Sequence, residues 1–209
     1  MLALLDYGSG NIRSVEKALV ASGGEVRRVA SPDELGSARG IVLPGVGAFD
    51  DCLNAIRRQR LDGAVQDWIR AGKPFLGICV GYQALFEGST EFNSCARGLG
   101  IFAGPVVRFR PTPQEPHLKI PQIGWNEVQV SQPNCPLFSD IPDQSYFYFV
   151  HSFFPQPVDE SIVAGRTDYG GSFAAAICRD NVWATQFHPE KSQTVGLQLL
   201  RNFVAFTQA

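Results

Sequence analysis

Cys79 sits in Gly77-Ile78-Cys79-Val80-Gly81, a thiol with a glycine two residues to either side. An apolar stretch, Phe75–Ile78, precedes it, and a helix-compatible run, Tyr82–Phe86, follows. A strand that turns sharply into a helix lifts a nucleophile off the C-terminal edge of a sheet, and this is the thiol counterpart of the G-x-S-x-G elbow. The glycines let strand and helix approach without a Cβ clash. The thiol is expected at a helix N-terminus, where unpaired N–H groups and the helix dipole favour thiolate. The Val80 N–H is then placed to bind a developing oxyanion. A free cysteine in an apolar strand is more often a small hydrophobe. The paired glycines and the strand-to-helix context favour the nucleophile.

A cysteine nucleophile needs a base, and the base needs a group to hold its tautomer. The chain has three histidines. His188 directly follows Val182–Phe187, which reads as a strand, so it is expected at a strand end. Glu190 lies two residues on, and in extended backbone would share His188's side of the chain. Pro189 between them keeps His188 out of the helical region. His151, in Phe149-Val150-His151-Ser152-Phe153, also ends a strand and competes as base, but has no acidic neighbour in sequence. His117 lies in a proline-rich loop.

These residues require elements that bring residue 79 and residue 188 together. In the first half, strand patterns at Leu2–Asp6, Val26–Ala30, Gly40–Leu43 and Lys73–Ile78 alternate with helical spacing at Ile12, Val15, Leu19 and again over residues 53–69, read as one long or two short helices. That alternation implies a parallel sheet with right-handed crossovers. Pro44-Gly45 is expected to stop the third strand. The second half reads as short strands at Val106–Arg110, Glu127–Val130, Ser145–Val150, Ile162–Thr167, Ala174–Arg179 and Val182–Phe187, an antiparallel extension with a hairpin turn at Asp180-Asn181. Ser192 is expected to cap a final helix carrying Leu197, Leu200, Phe203 and Val204. The expected architecture is one α/β domain over residues 1–209: a central, mostly parallel sheet flanked by helices, with an antiparallel extension in the second half.

Composition narrows the function classes. A net charge of -2 over 209 residues argues against a nucleic-acid binder. The densest basic cluster, Arg57-Arg58-Gln59-Arg60, suits a solvated helix end. No apolar run is long enough to span a bilayer, and Met1–Asp6 has the pattern of a strand rather than of a signal peptide, so a cytoplasmic protein is expected. The five cysteines are widely spaced, without a zinc-knuckle interval, and neither a metal nor a cofactor is expected. Gly8-Ser9-Gly10 lacks the third glycine of a dinucleotide fingerprint, having Arg13 in its place.

Taken together, these motifs resemble the class I (triad-type) glutamine amidotransferases, in which a G-x-C-x-G elbow and a later His-Pro-Glu supply the triad. The resemblance covers essentially the whole chain. Asp6-Tyr7-Gly8-Ser9-Gly10-Asn11, Pro44-Gly45-Val46-Gly47-Ala48-Phe49, Ile123-Gly124-Trp125-Asn126, Phe149-Val150-His151-Ser152 and His188-Pro189-Glu190-Lys191-Ser192 narrow it to the branch of imidazole glycerol phosphate synthase glutaminases. Val80 and Tyr82 stand where Leu and Met are commoner, and Gln122 where a His often stands.

The resemblance implies that Cys79, His188 and Glu190 hydrolyse L-glutamine through a γ-glutamyl thioester. It implies a second oxyanion donor from Pro44–Gly47, a Val46 or Gly47 amide, and the glycines flanking Val46 would let that peptide reorient. Gln83 and Ser152 match substrate-binding positions. No part of the chain is left over to use the ammonia, so the resemblance implies a (β/α)8-barrel cyclase subunit as partner, with Asn11, Trp125 and Lys191, expected in loops, as interface candidates. A γ-glutamyl hydrolase or cysteine peptidase on the same fold, active without a partner, and a non-catalytic domain with a relic elbow are the competing readings. The intact Cys79, His188 and Glu190 argue against the relic.

Overall fold

The computed structural model describes residues 1–8, 10–113 and 115–208, without the side chain of Phe92. Ser9 of the Asp6–Asn11 segment therefore falls outside the described residues. In chain order the strands are β1 (Leu2–Leu5), β2 (Val26–Val29), β3 (Gly40–Gly45), β4 (Phe75–Cys79), β5 (Gly88–Ser89), β6 (Pro105–Arg108), β7 (Gln122–Val130), β8 (Ser145–His151), β9 (Phe153–Pro155), β10 (Val163–Asp168), β11 (Ser172–Arg179) and β12 (Val182–Thr185). The α-helices are α1 (Ile12–Ala21), α2 (Phe49–Arg58), α3 (Leu61–Arg70), α4 (Val80–Gln83) and α5 (Gln193–Gln208).

Nine strands form one sheet in the order β2-β1-β3-β4-β12-β11-β10-β7-β8. Pairing is parallel from β2 to β12 and antiparallel from β12 to β8. The remaining strands make a small sheet, β5-β6-β9. Strands β1, β3, β4 and β12 are buried at every residue, which is why they read as apolar runs without alternation. Strand β2 exposes Arg27 and Arg28 at the sheet edge, where charge discourages pairing with another chain.

Helices α1 and α5 pack on each other, as do α2 and α3. Each turns an apolar stripe inward: Ile12, Val15 and Leu19 on α1, and Leu199, Leu200, Phe203 and Val204 on α5. The long helical pattern of residues 53–69 resolves into two helices because Arg60 adopts φ +58° between them.

Strand β3 does not stop before Pro44. It runs through Gly45, with Pro44 opposite Ile78 and Gly45 opposite Cys79. Ile41 donates its N–H to Pro74 on the β4 side, so by alternation Pro44 turns its missing donor toward β1. Pairing with β1 has already ended at Leu4↔Val42, so no ladder bond is lost. Strand β7 is longer than expected and includes the Gly-Trp-Asn segment, which places Trp125 on a strand opposite Tyr148 rather than in a loop.

Candidate active site

The elbow is built by three glycines. A Cβ on Gly81 would stand 2.0 Å from the Leu43 carbonyl oxygen, one on Gly77 2.7 Å from the Gly81 oxygen, and one on Gly45 2.6 Å from the Gly81 nitrogen. Two of these flank Cys79 in sequence. The third comes from β3, where the sequence suggested a strand stop and a hinge beside Val46 but not this contact with the elbow. Cys79 itself takes φ +55°, ψ -109°, a strained conformation for a residue with a Cβ that costs about 1–3 kcal/mol and persists only where the surroundings enforce it. Helix α4 is a single turn of four residues, so its macrodipole is a smaller asset than the sequence suggested.

Strand β12 lies directly beside β4, with Thr185 opposite Ile78, and this adjacency delivers His188 to the same edge. His188 Nδ1 lies 2.8 Å from Glu190 Oε1, and the two side chains are 2% and 0% exposed. The pair is not joined by extended backbone. A 3-10 turn over Pro189–Lys191 folds Glu190 back onto the ring. Ser192 does not turn its hydroxyl to a cap. The hydroxyl donates to the His188 carbonyl at 2.6 Å and accepts from the Tyr148 N–H at 3.0 Å, fastening the turn to β8. Asn11 donates to the same Glu190 oxygen at 3.5 Å, a position behind the His188–Glu190 pair.

A carboxylate on Nδ1 leaves Nε2 as the uncommitted nitrogen, buried without a hydrogen bond to a described residue. Burial, the largest influence, pulls the imidazole down. The Cys79 sulfur and the Glu190 carboxylate together outweigh it and push His188 up to about 10. The ring therefore favours its protonated form, and an imidazolium facing a thiol is an arrangement able to activate the sulfur and to hold a proton for a leaving group.

Cys79 and His188 open onto a cavity of about 400 Å³. Its walls also include Val46, Gly47, Val80, Gln83, Ser152 and Lys191. The Val46–Gly47 peptide lies between two anchors. Tyr7 donates its hydroxyl to the Pro44 carbonyl at 2.8 Å, and Glu91 accepts from the Phe49 N–H at 2.8 Å. Gly47 has φ +89°, and no atom lies within 4 Å of where a Cβ would stand, so the peptide between the anchors has room to turn.

His151 is not available as a base. Its Nδ1 bonds the Phe153 carbonyl at 2.8 Å and its Nε2 the Gln122 side chain at 2.9 Å. Burial pushes it down to about 3, so it serves as a neutral core group. Gln122, the departure noted in sequence, is thereby a partner for this buried ring. Two groups at the site, one on the cavity wall and one buried behind the sulfur, escaped sequence reading. Glu91 lines the cavity, with its carboxyl raised by burial. Gln186, fully buried, lies with its amide nitrogen 3.7 Å from Cys79 Sγ. Neither stands near a motif residue in a spacing that signals a site, although Gln186 is only two residues before His188.

The glutamine amidotransferase class-I family matches this chain over residues 3–206. The chain belongs to that family. Curated relatives within it include the imidazole glycerol phosphate synthase subunit HisH of Desulfitobacterium hafniense, 48% identical over 97% of this chain and 93% of its own length. The protein of the same name from Acaryochloris marina is 46% identical over 100% of this chain and 96% of its own. The family fold is shared with much more distant structures. The structure of PurLQS from Thermotoga maritima superposes with a TM-score of 0.77 at 20% identity, covering 98% of this chain and 97% of that one. A crystal structure of a glutamine amidotransferase gives 0.76 at 18%, covering 100% and 99%. The family's sheet, parallel at one side and antiparallel at the other, is the one described above.

Of the three candidate interface residues, Lys191 lies at the cavity mouth with its ammonium 5.7 Å from the Tyr148 ring centre. Trp125 is exposed on β7 with Ile123, and Tyr146 is exposed on the neighbouring β8. Asn11 is directed at Glu190 instead. Among the described residues no group of His, Cys, Asp or Glu is arranged to hold a metal ion, and no helix is long and apolar enough to cross a membrane.

Proposed function

We propose that this chain is the glutaminase subunit of an imidazole glycerol phosphate synthase, acting in L-histidine biosynthesis. The observation that carries the reading is the His188 ring, bound to Glu190 through Nδ1 and in electrostatic contact with the elbow sulfur. The Cys79 thiolate attacks the side-chain amide carbon of L-glutamine. The Val80 N–H and a Val46 or Gly47 N–H hold the resulting oxyanion. His188 passes its proton to the leaving nitrogen, ammonia departs and a γ-glutamyl thioester remains. His188 then takes a proton from water, the hydroxide attacks the thioester, and glutamate leaves as the thiolate reforms.

Gln83 and Ser152 contact the substrate in this reading, and the Glu91 carboxylate suits its α-ammonium. Both protons of the Gln83 amide nitrogen are committed, to Phe153 and Gln186, so its carbonyl oxygen is the end offered to glutamine. Ammonia is passed to a (β/α)8-barrel cyclase subunit, which joins it to a phosphoribulosyl aminoimidazole carboxamide ribonucleotide. The products are imidazole glycerol phosphate and the aminoimidazole carboxamide ribonucleotide. The exposed aromatic and aliphatic side chains Ile123, Trp125 and Tyr146, with Lys191 beside them, support docking next to the cavity mouth. The chain works as one domain over residues 1–209, in the cytoplasm and without a cofactor.

The test is imidazole glycerol phosphate formation by the reconstituted pair. Cys79→Ala should lower glutamine-dependent turnover by about 10⁴-fold or more while ammonia-dependent turnover survives. Retained glutamine hydrolysis in that variant would overturn the assignment. Equal glutamate release with and without the cyclase and its nucleotide would overturn control by the partner.

A further inference from the structure

Behind Cys79 two buried side-chain amides form a chain that ends on the sulfur. Gln83 Nε2 lies 2.9 Å from the Phe153 carbonyl oxygen and 3.2 Å from Gln186 Oε1, and Gln186 Nε2 lies 3.7 Å from Cys79 Sγ. The two ends of a glutamine amide are ordinarily interchangeable in such a network. Here a backbone carbonyl decides the orientation. The Phe153 oxygen can only accept, so the nitrogen of Gln83 must face it. The second proton of that nitrogen then requires the oxygen of Gln186, and the nitrogen of Gln186 is left facing sulfur.

We propose that Gln186 is a positioning residue for the nucleophile: its amide N–H, aimed by Gln83 and the Phe153 carbonyl, stabilises and orients the Cys79 thiolate. The proposal rests on the reading of Cys79 as the nucleophile. Gln186 is 0% and Gln83 4% exposed, so water does not compete for these bonds. The Gln186 backbone N–H is tied to the Ala175 carbonyl at 2.8 Å, which fixes the residue to β11. A hydrogen bond to an ionised acceptor is about twice as strong as one between neutral groups, so this donor favours thiolate over thiol.

The charged and titratable groups around the sulfur leave a place for such a donor. His188, with Glu190 behind it, faces Cys79 from the segment after β12. Tyr7, after β1, and Cys52, on α2, are hydrogen-bonded to each other and also interact with it. Burial raises the Tyr7 hydroxyl and pushes the Cys52 thiol up to about 12, with the Cys79 charge adding to both shifts. Both therefore stay neutral near pH 7. Glu91 shares the cavity wall. His188 must give its proton away during turnover, whereas the Gln186 amide keeps its donor throughout. Because Phe153 follows the candidate substrate-contact residue Ser152, the same wall that receives glutamine also sets the pose of the nucleophile.

The experiment is the pH dependence of Cys79 carbamidomethylation by iodoacetamide in the full chain, read by mass spectrometry on the Cys79 peptide so that the other four thiols do not contribute. Gln186→Met keeps the side-chain length and removes the donor. Its alkylation profile should move up by about one pH unit, with the rate at pH 7 falling about fivefold. Gln186→Glu keeps an acceptor for Gln83 but sets a carboxyl against sulfur, and should move the profile further in the same direction. Profiles superimposable on the unsubstituted protein would overturn the proposal. If Gln186→Met fails to give a cooperative melt, Gln186→Glu and Gln83→Met carry the comparison, and unmoved profiles in both overturn it equally. Alkylation requires no glutamine, so this failure is distinct from loss of the glutaminase reading, which retained hydrolysis in Cys79→Ala would reveal.

Discussion

Gly81 packs its α-carbon against the backbone of Leu43, and a Cβ there would stand 2.0 Å from the Leu43 carbonyl oxygen. The neighbour is backbone in the middle of the sheet, so it cannot rotate out of the way. Gly81→Ala should destabilise the fold by about 1–3 kcal/mol and misplace the Val80 N–H. Gly63 is the control, on the exposed side of α3 with nothing within 4 Å of a Cβ. Gly63→Ala should stabilise by about 0.5–1 kcal/mol. Thermal melts of the two variants check the pair, and a Gly81→Ala melt equal to that of the parent would contradict the packing argument.

The two buried histidines make opposite contributions to stability as pH changes. His188 is raised in the fold to about 10 from an ordinary value near 6.5. Its contribution is fully present below about 6.5 and is lost as pH climbs through about 10. His151 is lowered to about 3, so its contribution is present above about 6.5 and is lost as pH falls toward 3. Melting temperature should therefore decline on both sides of neutrality. Cys79 is the larger of the two groups that raise His188 and Glu190 the smaller, so Glu190→Gln should make the alkaline limb shallower without abolishing it, and lower glutamine turnover by about 10²–10⁴-fold. An alkaline limb as steep as in the unsubstituted protein would show that the His188–Glu190 contact is not its source.

Gly47 tests the oxyanion peptide. Its surroundings are open, so Gly47→Ala meets no clash, and the penalty comes from φ +89° alone. A Cβ costs about 1–2 kcal/mol in left-handed backbone, enough to bias the Val46–Gly47 peptide toward another orientation. The ratio of glutaminase rates with and without the cyclase and its nucleotide should change severalfold in this variant. An unaltered ratio would mean that the peptide does not gate activity.

At the proposed interface, Trp125 is 45% exposed and Ile123 63%. Burial of an aromatic anchor commonly dominates such contacts, so Trp125→Ala should weaken cyclase binding by about ten- to a hundredfold. Lys191→Glu should weaken it in a way that fades as salt rises. Titration calorimetry at two ionic strengths separates these effects, and affinity unchanged in both variants would move the interface elsewhere.

The parts legible in the sequence were those with local signatures. Gly77 and Gly81 announced the elbow because both constrain it from within five residues. His188, Pro189 and Glu190 were legible as neighbours, although the turn that closes them was not: a proline followed by a charged pair fits extended backbone as readily as a 3-10 turn. Gly45 was legible as a strand stop and as a neighbour of Val46, but its part in the elbow was not, because its contact with Gly81 exists only once β3 lies beside β4. Gln186 and Gln83 are 103 residues apart in the chain, and no periodicity reports that their amides meet. Trp125 was misplaced because the glycine before it reads as a loop former, whereas pairing with β8 holds the whole segment as a strand.

Strand β12 occupies the seam of the nine-stranded sheet, with the nucleophile's strand on one side and the antiparallel strands on the other. His188 can stand beside Cys79 only while β12 is seated next to β4. In the proposed reading, a chain in which this one strand has come away keeps its thiol but has lost the proton carrier, so the seam of the sheet is also the switch that separates an active from an inert elbow.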